Sequence, residues 1–158
     1  MSAAPPKGFF QLATPDDLLA KLRYDLSRMR SDPLNAYAAF DFFVTARHYP
    51  EWRYANDTAK KDALFSQNVE LRICRHLAEE AKHFQATDPR HKQVAGTSFS
   101  QGAWAAGAWA EGAWKLGAWG DGLFISLNPR DPDTASLGVR INALQLAEKV
   151  MVILERTI

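Results

Sequence analysis

The chain has 158 residues and a single cysteine, Cys74, so no disulfide can form within it. A lone thiol is typical of proteins from a reducing compartment. No apolar run reaches the roughly 18 residues of a membrane-spanning helix, so we expect no membrane span. The first ten residues lack the charged and apolar regions of a signal peptide, which favours a cytoplasmic protein. The net charge is only +1, so no overall field would attract nucleic acid or an anionic membrane.

Complete catalytic and metal-binding signatures are also missing from the sequence. Glu80 and His83 have the Glu-x-x-His spacing that places two metal ligands on one helix face. A di-iron bundle needs this motif twice and two further glutamates, and no second copy occurs here. Cys74 lies among apolar neighbours, which predicts a buried, inert thiol. We therefore expect no metal and no cofactor, and we favour a protein that is not an enzyme.

One unusual repeat is present between Gln101 and Gly122, where Gly-Ala-Trp occurs four times with a period of five residues. On a strand, side chains alternate with period two, so successive rings would face opposite sides. On a helix, five residues advance by about 500°, which would scatter the rings around the axis. The spacing predicts an extended ribbon bent at its glycines. A single coil of a pentapeptide β-solenoid is an alternative, although four inward rings would overfill it.

The apolar area of the repeats limits what they can do. A buried tryptophan removes about 150–250 Å² from water, so four represent roughly 15–25 kcal/mol as an upper bound. The rings could pack on their own domain, or they could form a sticky surface for self-assembly or for a flat ligand. The uniform spacing favours a surface, and we expect a homo-oligomer that forms through Trp104, Trp109, Trp114 and Trp119.

Helix signals fill the first half of the chain. Thr14 and Pro15 begin the first helix, with Asp17 completing a capping box. Pro33 begins a second, largely apolar helix that we expect to end near Trp52. Apolar spacing predicts a third helix over residues 60–85. We expect six residues of these helices and of the last helix to be buried together, with a cost of about 2–5 kcal/mol for Leu77→Ala: Phe40, Val44, Ile73, Leu77, Phe84 and Val150.

The second half of the chain changes character. Residues 92–100 alternate loosely and residues 123–128 alternate strictly, which predicts strands. A third short strand is predicted over residues 137–141, and Asn142 with Gln145 forms a helix-start signal.

These elements predict a mainly α (α+β) fold. It is a four-helix-type bundle with a small antiparallel sheet and the Gly-Ala-Trp ribbon inserted before the last helix. Residues 1–91 would supply three helices, residues 92–141 the sheet with its insertion at 102–121, and residues 142–158 the final helix of one single domain.

A polar stripe runs along the predicted third helix. Arg72, His76, Glu79 and His83 fall at i, i+4, i+7 and i+11, which places them on one face. Together with Asp41 and His48 from the second helix they could form a polar pocket, where histidine moves a proton and arginine stabilises an oxyanion. The alternative is a solvated face with ordinary charge pairs along the helix.

Two segments carry a family resemblance. Residues 39–48 and 71–84 resemble a group of short uncharacterised bacterial proteins, in which a helix ending in Lys-His follows an aromatic-rich helix. Residues 33–87 are also distantly similar to HEPN domains, which are helical bundles often found in RNA-cleaving toxins and phage-defence proteins.

The resemblance implies a ribonuclease site formed by His83, Arg75 and His48. HEPN nucleases carry an arginine, four to six residues and then a histidine. Here Arg75 and His83 are separated by seven residues. That spacing is also compatible with an inactive, structural bundle.

Three functions remain open from the sequence. The first is a non-enzymatic assembly or interaction module that uses the repeats as its contact surface. The second is a HEPN-like ribonuclease or phage-defence component, with RNA as its partner. The third is a carbohydrate or single-stranded nucleic-acid binder that stacks ligands on the tryptophan rings. Lys115 is the only basic residue within the repeats, which weakens the nucleic-acid version.

Overall fold

A computed structural model describes residues 7–83, 87–100 and 122–158 of the chain. The predicted tryptophan ribbon, with Trp104, Trp109, Trp114 and Trp119, lies outside these residues, as does Phe84. The described part contains five α-helices, one 3-10 helix and three strands in the following order. They are α1 Pro15–Ser31, α2 Ala36–Arg53, α3 Thr58–Gln67, α4 Val69–His83, β1 Val94–Ser100, β2 Gly122–Leu127, a 3-10 helix Pro132–Leu137, β3 Arg140–Asn142 and α5 Ala143–Glu155.

The start of α1 confirms the predicted capping box. The hydroxyl of Thr14 accepts a 3.2 Å hydrogen bond from the backbone N–H of Asp17. The carboxylate of Asp17 accepts in return from the backbone N–H of Thr14 at 2.8 Å. Two amide groups that the helix itself cannot pair are thereby satisfied, and Pro15 occupies the first turn without losing a bond.

The start of α2 was predicted too early. The helix begins at Ala36 and not at Pro33, because Asn35 is its cap. The side-chain oxygen of Asn35 accepts a 2.9 Å hydrogen bond from the backbone N–H of Ala38. Asparagine is among the strongest N-terminal caps, and here it prevails over the proline signal two residues earlier.

The predicted third helix is two helices, α3 and α4. The break falls at Asn68, whose backbone is extended with φ −128° and ψ 104°. Its side-chain amide donates a 2.7 Å hydrogen bond to the carbonyl of Leu64, which satisfies an acceptor at the end of α3. Asparagine competes with the helical backbone in this way, and the apolar spacing of the segment carries no trace of it.

The core lies between α1, α2, α4, α5 and the sheet. Ile73 and Val150 are fully buried, as predicted. Phe40 is 52% exposed, so its assignment to the core was wrong. Val44 and Leu77 are only half-buried. The buried face of α2 is formed instead by other residues, because a helix that is apolar around most of its circumference does not reveal which side faces inward: Ala38, Ala39, Phe42, Phe43, Ala46 and Tyr49.

The small antiparallel sheet is present, with strand order β1-β2-β3. Phe99 pairs with Leu123 and Ser100 pairs with Gly122, so the two ends of the repeat segment leave the sheet side by side. The three strands follow one another along the chain and in space, which is the simplest antiparallel arrangement.

The predicted third strand is shorter than expected. Its first residue, Leu137, is the last residue of the 3-10 helix, and the strand proper is Arg140–Asn142. Gly138 has φ 87°, a left-handed conformation that favours glycine and reverses the chain before β3. The predicted cap of the last helix is confirmed, since the side chain of Asn142 accepts from the backbone N–H of Leu144 at 2.8 Å. None of the described helices combines the length and the apolar character needed to cross a bilayer.

Candidate functional site

An apolar groove opens between α2, α4 and the sheet. Its volume is about 610 Å³, and the first residue of α5, Ala143, contributes to its lining. Most of its lining atoms belong to apolar side chains, among them Phe40, Phe43, Leu77, Phe99, Leu123 and Phe124. Glu80 is the charged residue that the described part of the chain contributes to the lining.

Two rings of the groove are unusually exposed. Phe40 on α2 is 52% exposed and Phe99 on β1 is 70% exposed. Exposed apolar surface of this kind, concentrated in a concave region, is typical of a binding surface for another apolar group. Sequence reasoning missed the groove because it assigned Phe40 to the core.

The groove also borders the exit of the repeat segment. Phe99 and Leu123 both line it. They form the second-to-last residue pair at the end of the β1–β2 ladder where the repeat segment is inserted. Ser100 and Gly122 form the final pair. The repeat segment is therefore attached directly at the rim of the apolar groove.

The polar stripe of α4 is divided between the interior and the surface. His76 is 4% exposed, and its Nδ1 accepts a 3.2 Å hydrogen bond from the backbone N–H of Val94. Its Nε2 lies 3.3 Å from the carboxylate of Glu80. His83 is exposed and lies 3.5 Å from Glu79. His76 is therefore a structural link to β1, whereas His83 forms a solvent-facing charge pair.

Burial lowers the pKa of His76 below its ordinary value, although the nearby carboxylate of Glu80 acts in the opposite direction. A neutral ring agrees with the hydrogen bonding, since Nδ1 must be unprotonated to accept from Val94. The proton then resides on Nε2 and is directed at Glu80. Both ring nitrogens of His76 therefore already have a partner within the protein, Val94 at Nδ1 and Glu80 at Nε2.

The three predicted catalytic residues lie in separate surroundings. His48 is exposed, and its Nδ1 is 3.1 Å from Glu51. Arg75 and His83 share α4 but stand eight residues apart, which is about 12 Å along the axis. Within the described ranges, no hydrogen bond or ion pair joins any two of the three. Asp41, also considered for a polar pocket, accepts a 2.8 Å hydrogen bond from Arg28.

Arg75 instead belongs to a group of four arginines that we call the arginine cluster: Arg47, Arg72, Arg75 and Arg90. The guanidinium carbons of Arg47 and Arg75 lie 5.7 Å and 5.1 Å from the centre of the Phe65 ring. Arg72 donates a 2.9 Å hydrogen bond to the carbonyl of the same phenylalanine. Both cation–ring distances are within the range of an attractive cation–π interaction.

The surroundings of Arg75 are unfavourable for its positive charge. Burial lowers the pKa of Arg75, and repulsion from Arg90, Arg47 and Arg72 lowers it further. The pKa of the neighbouring His91 is also lowered, first by burial, then by repulsion from the protonated form of His76 where that form occurs, and more weakly by the charge of Arg75. The rings of His76 and His91 are 5.6 Å apart. The surroundings therefore concentrate positive charge beside two histidines.

Sequence reasoning could not find the arginine cluster. Its members come from α2, α4 and the loop before β1, and their spacing along the chain matches no motif. The only local signal was Arg72 and Arg75, which lie three residues apart on one helix and so share a face. The convergence of Arg47 and Arg90 on them is a consequence of tertiary packing.

The remaining chemistry of the described residues is sparse. Cys74 is buried as predicted, and burial raises the pKa of its thiol, which keeps it protonated and unreactive. Across residues 7–83, 87–100 and 122–158, no three His, Cys, Asp or Glu side chains converge as a metal site requires. Comparison of the chain with protein-family models, with curated proteins and with solved structures gives no match.

Proposed function

We propose that this protein is a non-enzymatic assembly module, in which the Gly-Ala-Trp repeats of one copy bind the apolar groove of another. The observation that carries the proposal is the groove of about 610 Å³ at the end of the sheet where the repeats are attached. Its exposed rings, Phe40 and Phe99, offer aromatic partners for tryptophan.

The magnitude of the apolar effect supports several rings acting together. Burying one tryptophan side chain contributes at most about 4–6 kcal/mol. Association of two proteins costs an estimated 4–15 kcal/mol in lost translational and rotational freedom. A single ring therefore offsets this cost barely or not at all, whereas the four rings of the repeats together, at about 16–24 kcal/mol as an upper bound, exceed it.

The uniform spacing of the repeats supports a second copy as the partner. Ordinary core positions differ in size and shape from one another, and these four units do not. A head-to-tail contact, in which the repeats of each copy occupy the groove of the next, generates a ring if the rotation closes and a filament if it does not. The strand ends to which the repeats are attached lie beside the groove on every copy, so each chain can supply repeats to one neighbour and a groove to another.

Light scattering coupled to size-exclusion chromatography tests the proposal. We expect the full chain to form oligomers, and a variant whose residues 101–121 are replaced by an Asn-Gly turn to be a folded monomer. The turn is suitable because Ser100 and Gly122 already pair across the two strands.

A matched pair of substitutions on α2 tests the groove. Phe40 and Tyr37 are both exposed aromatic residues of this helix, at 52% and 82%, but only Phe40 lines the groove. We expect Phe40→Ser to weaken assembly and Tyr37→Ser to leave it unchanged. If the full chain is a monomer at high concentration and its tryptophan fluorescence reports an apolar environment, the rings pack within their own chain and the proposal is wrong.

A further inference from the structure

The apolar groove has a negative charge on its wall. Glu80 is the charged residue among the described residues that line it, and its side chain is 35% exposed. Its Oε1 atom lies 3.3 Å from Nε2 of His76, and no lysine or arginine of the described ranges pairs with this carboxylate. Because apolar walls keep water away, such a charge acts more strongly on a bound ligand than it would on an open surface. The groove therefore discriminates between ligands of different charge.

The four repeats share the same ring but differ in charge. The two residues that follow each tryptophan are Ala-Ala in the first unit, Ala-Glu in the second, Lys-Leu in the third and Gly-Asp in the fourth. The third unit thus carries the only basic residue of the repeats, Lys115, and their only leucine, Leu116. The second and fourth units carry acids, Glu111 and Asp121. An apolar groove with a carboxylate on its wall therefore attracts the third unit and repels the second and fourth.

We propose that Glu80 selects the third unit, so that Trp114 and Lys115 of one copy occupy the groove of the next. This inference rests on the proposed function and names the part of the partner chain that the groove binds. Consecutive Cα atoms are only about 3.8 Å apart, so a lysine directly after the ring can reach a carboxylate on the wall that the ring contacts. Its methylene stem can lie on apolar surface while the ammonium pairs with the acid. The rings supply the apolar area, and the charge pair fixes the register and disfavours the acidic units.

Reversal of the two charges tests this selection in the full chain. Glu80→Lys and Lys115→Glu each bring like charges together, so we expect either variant alone to associate about tenfold more weakly than the wild type. A mixture of the two variants is different. The Glu80→Lys chain offers its native Lys115 to the native Glu80 of the other chain, and the two introduced residues also have opposite charges. We therefore expect the mixture to regain assembly as alternating copies of the two variants, which analytical ultracentrifugation measures.

Matched variants separate a specific charge pair from a general effect of charge. Glu79→Lys makes the same change one residue earlier on α4, at a residue that does not line the groove, and should associate as the wild type does. Trp114→Ala should weaken assembly more than Trp109→Ala, because Trp109 belongs to an acidic unit. Salt at about 1 M shortens the range of a charge to about 3 Å, so it should narrow the difference between Lys115→Glu and the wild type.

The outcomes distinguish this inference from the proposed function on which it rests. Recovery in the mixture would support the selection and would also show that both variants fold. If Glu80→Lys does not fold, Glu80→Gln replaces it, and this variant should associate with a strength between those of the wild type and Lys115→Glu. If the wild type assembles but charge reversal has no effect, or if mixing folded variants restores nothing, the selection by Glu80 is overturned and the proposed function stands. A monomeric wild type overturns both.

Discussion

The backbone N–H of Val94 donates a 3.2 Å hydrogen bond to Nδ1 of His76 and thereby connects the first strand to α4. Both residues are buried, at 9% and 4% exposure. A bond of this kind is shielded from water, so its loss leaves a polar group that solvent cannot readily satisfy. The contact holds the strand that forms one wall of the groove against the helix that forms another.

The first prediction concerns this hydrogen bond. We expect His76→Ala to lower the free energy of unfolding by about 1–3 kcal/mol, because the amide of Val94 loses its acceptor. His76→Asn should cost less, since the asparagine oxygen can accept in place of Nδ1. Urea unfolding measures both, and His83→Ala on the exposed end of α4 is the control. Equal losses for the alanine and asparagine variants of His76 would show that the bond contributes little.

The second prediction concerns acidic pH. Burial lowers the pKa of His76 in the folded protein below the value of 6.5 that applies when the ring is exposed. Between these two values the unfolded chain binds more protons than the folded one, so stability falls as the pH falls below about 6.5. We expect His76→Asn to flatten this decline in unfolding experiments at a series of pH values.

Part of the slope should survive in His76→Asn, because burial also lowers the pKa of His91. Asp88 does not contribute in this window, since its hydrogen bonds from Arg90 lower its pKa to about 2. A wild-type protein whose stability is constant from pH 7 to pH 5 would contradict the prediction.

The third prediction concerns Asp25, a carboxylate that is 1% exposed on α1. It pairs with Lys21 at 2.5 Å and with Arg28 at 3.0 Å. We expect Asp25→Asn to destabilise the fold by about 1–3 kcal/mol, because charged hydrogen bonds are lost from a buried group. The loss should stay below that of a fully buried pair, since both cations can regain water. Asp62→Asn, at an exposed position of α3, should change stability by less than about 0.5 kcal/mol in the same denaturation assay.

The fourth prediction compares two apolar residues of α4. Ile73 is fully buried, so Ile73→Ala should cost about 2–5 kcal/mol. Leu77 is only half-buried at the groove, which reduces our expectation for Leu77→Ala to about 1–2 kcal/mol. Thermal or urea unfolding of the two variants measures the difference. A larger loss for Leu77 would mean that the groove is filled in the native protein.

Local sequence signals predicted which helices and strands exist better than they predicted the residues at which these elements begin and end. The caps at Thr14 and Asn142 were predictable because each depends on a side chain and an amide only two or three residues away. The end of α3 at Asn68 was not, since the same asparagine is tolerated inside many helices and only its bond to Leu64 reveals the break. Phe40 shows why the buried face of α2 was not predicted. The spacing of apolar residues cannot reveal which side of a helix faces the core when the helix is apolar on nearly all sides.

The candidate sites were less predictable than the fold. The apolar groove combines residues from α2, α4, β1 and β2, and its existence depends on how these elements pack. The arginine cluster likewise joins Arg47 with Arg75 and Arg90, which are distant along the chain. Arg75 was selected from the sequence together with His83 and His48, and the structure surrounds it with other arginines.

The pairing of Ser100 with Gly122 has a consequence for how the repeats can evolve. The two ends of the insertion are held together by the sheet, whatever the number of residues between them. Closing a longer loop costs only about 0.6 kcal/mol for each doubling of its length. Replication slippage that adds or removes one unit of five codons would leave the strand register intact. Selection can therefore adjust the number of tryptophans one unit at a time, while the fold that carries them stays the same.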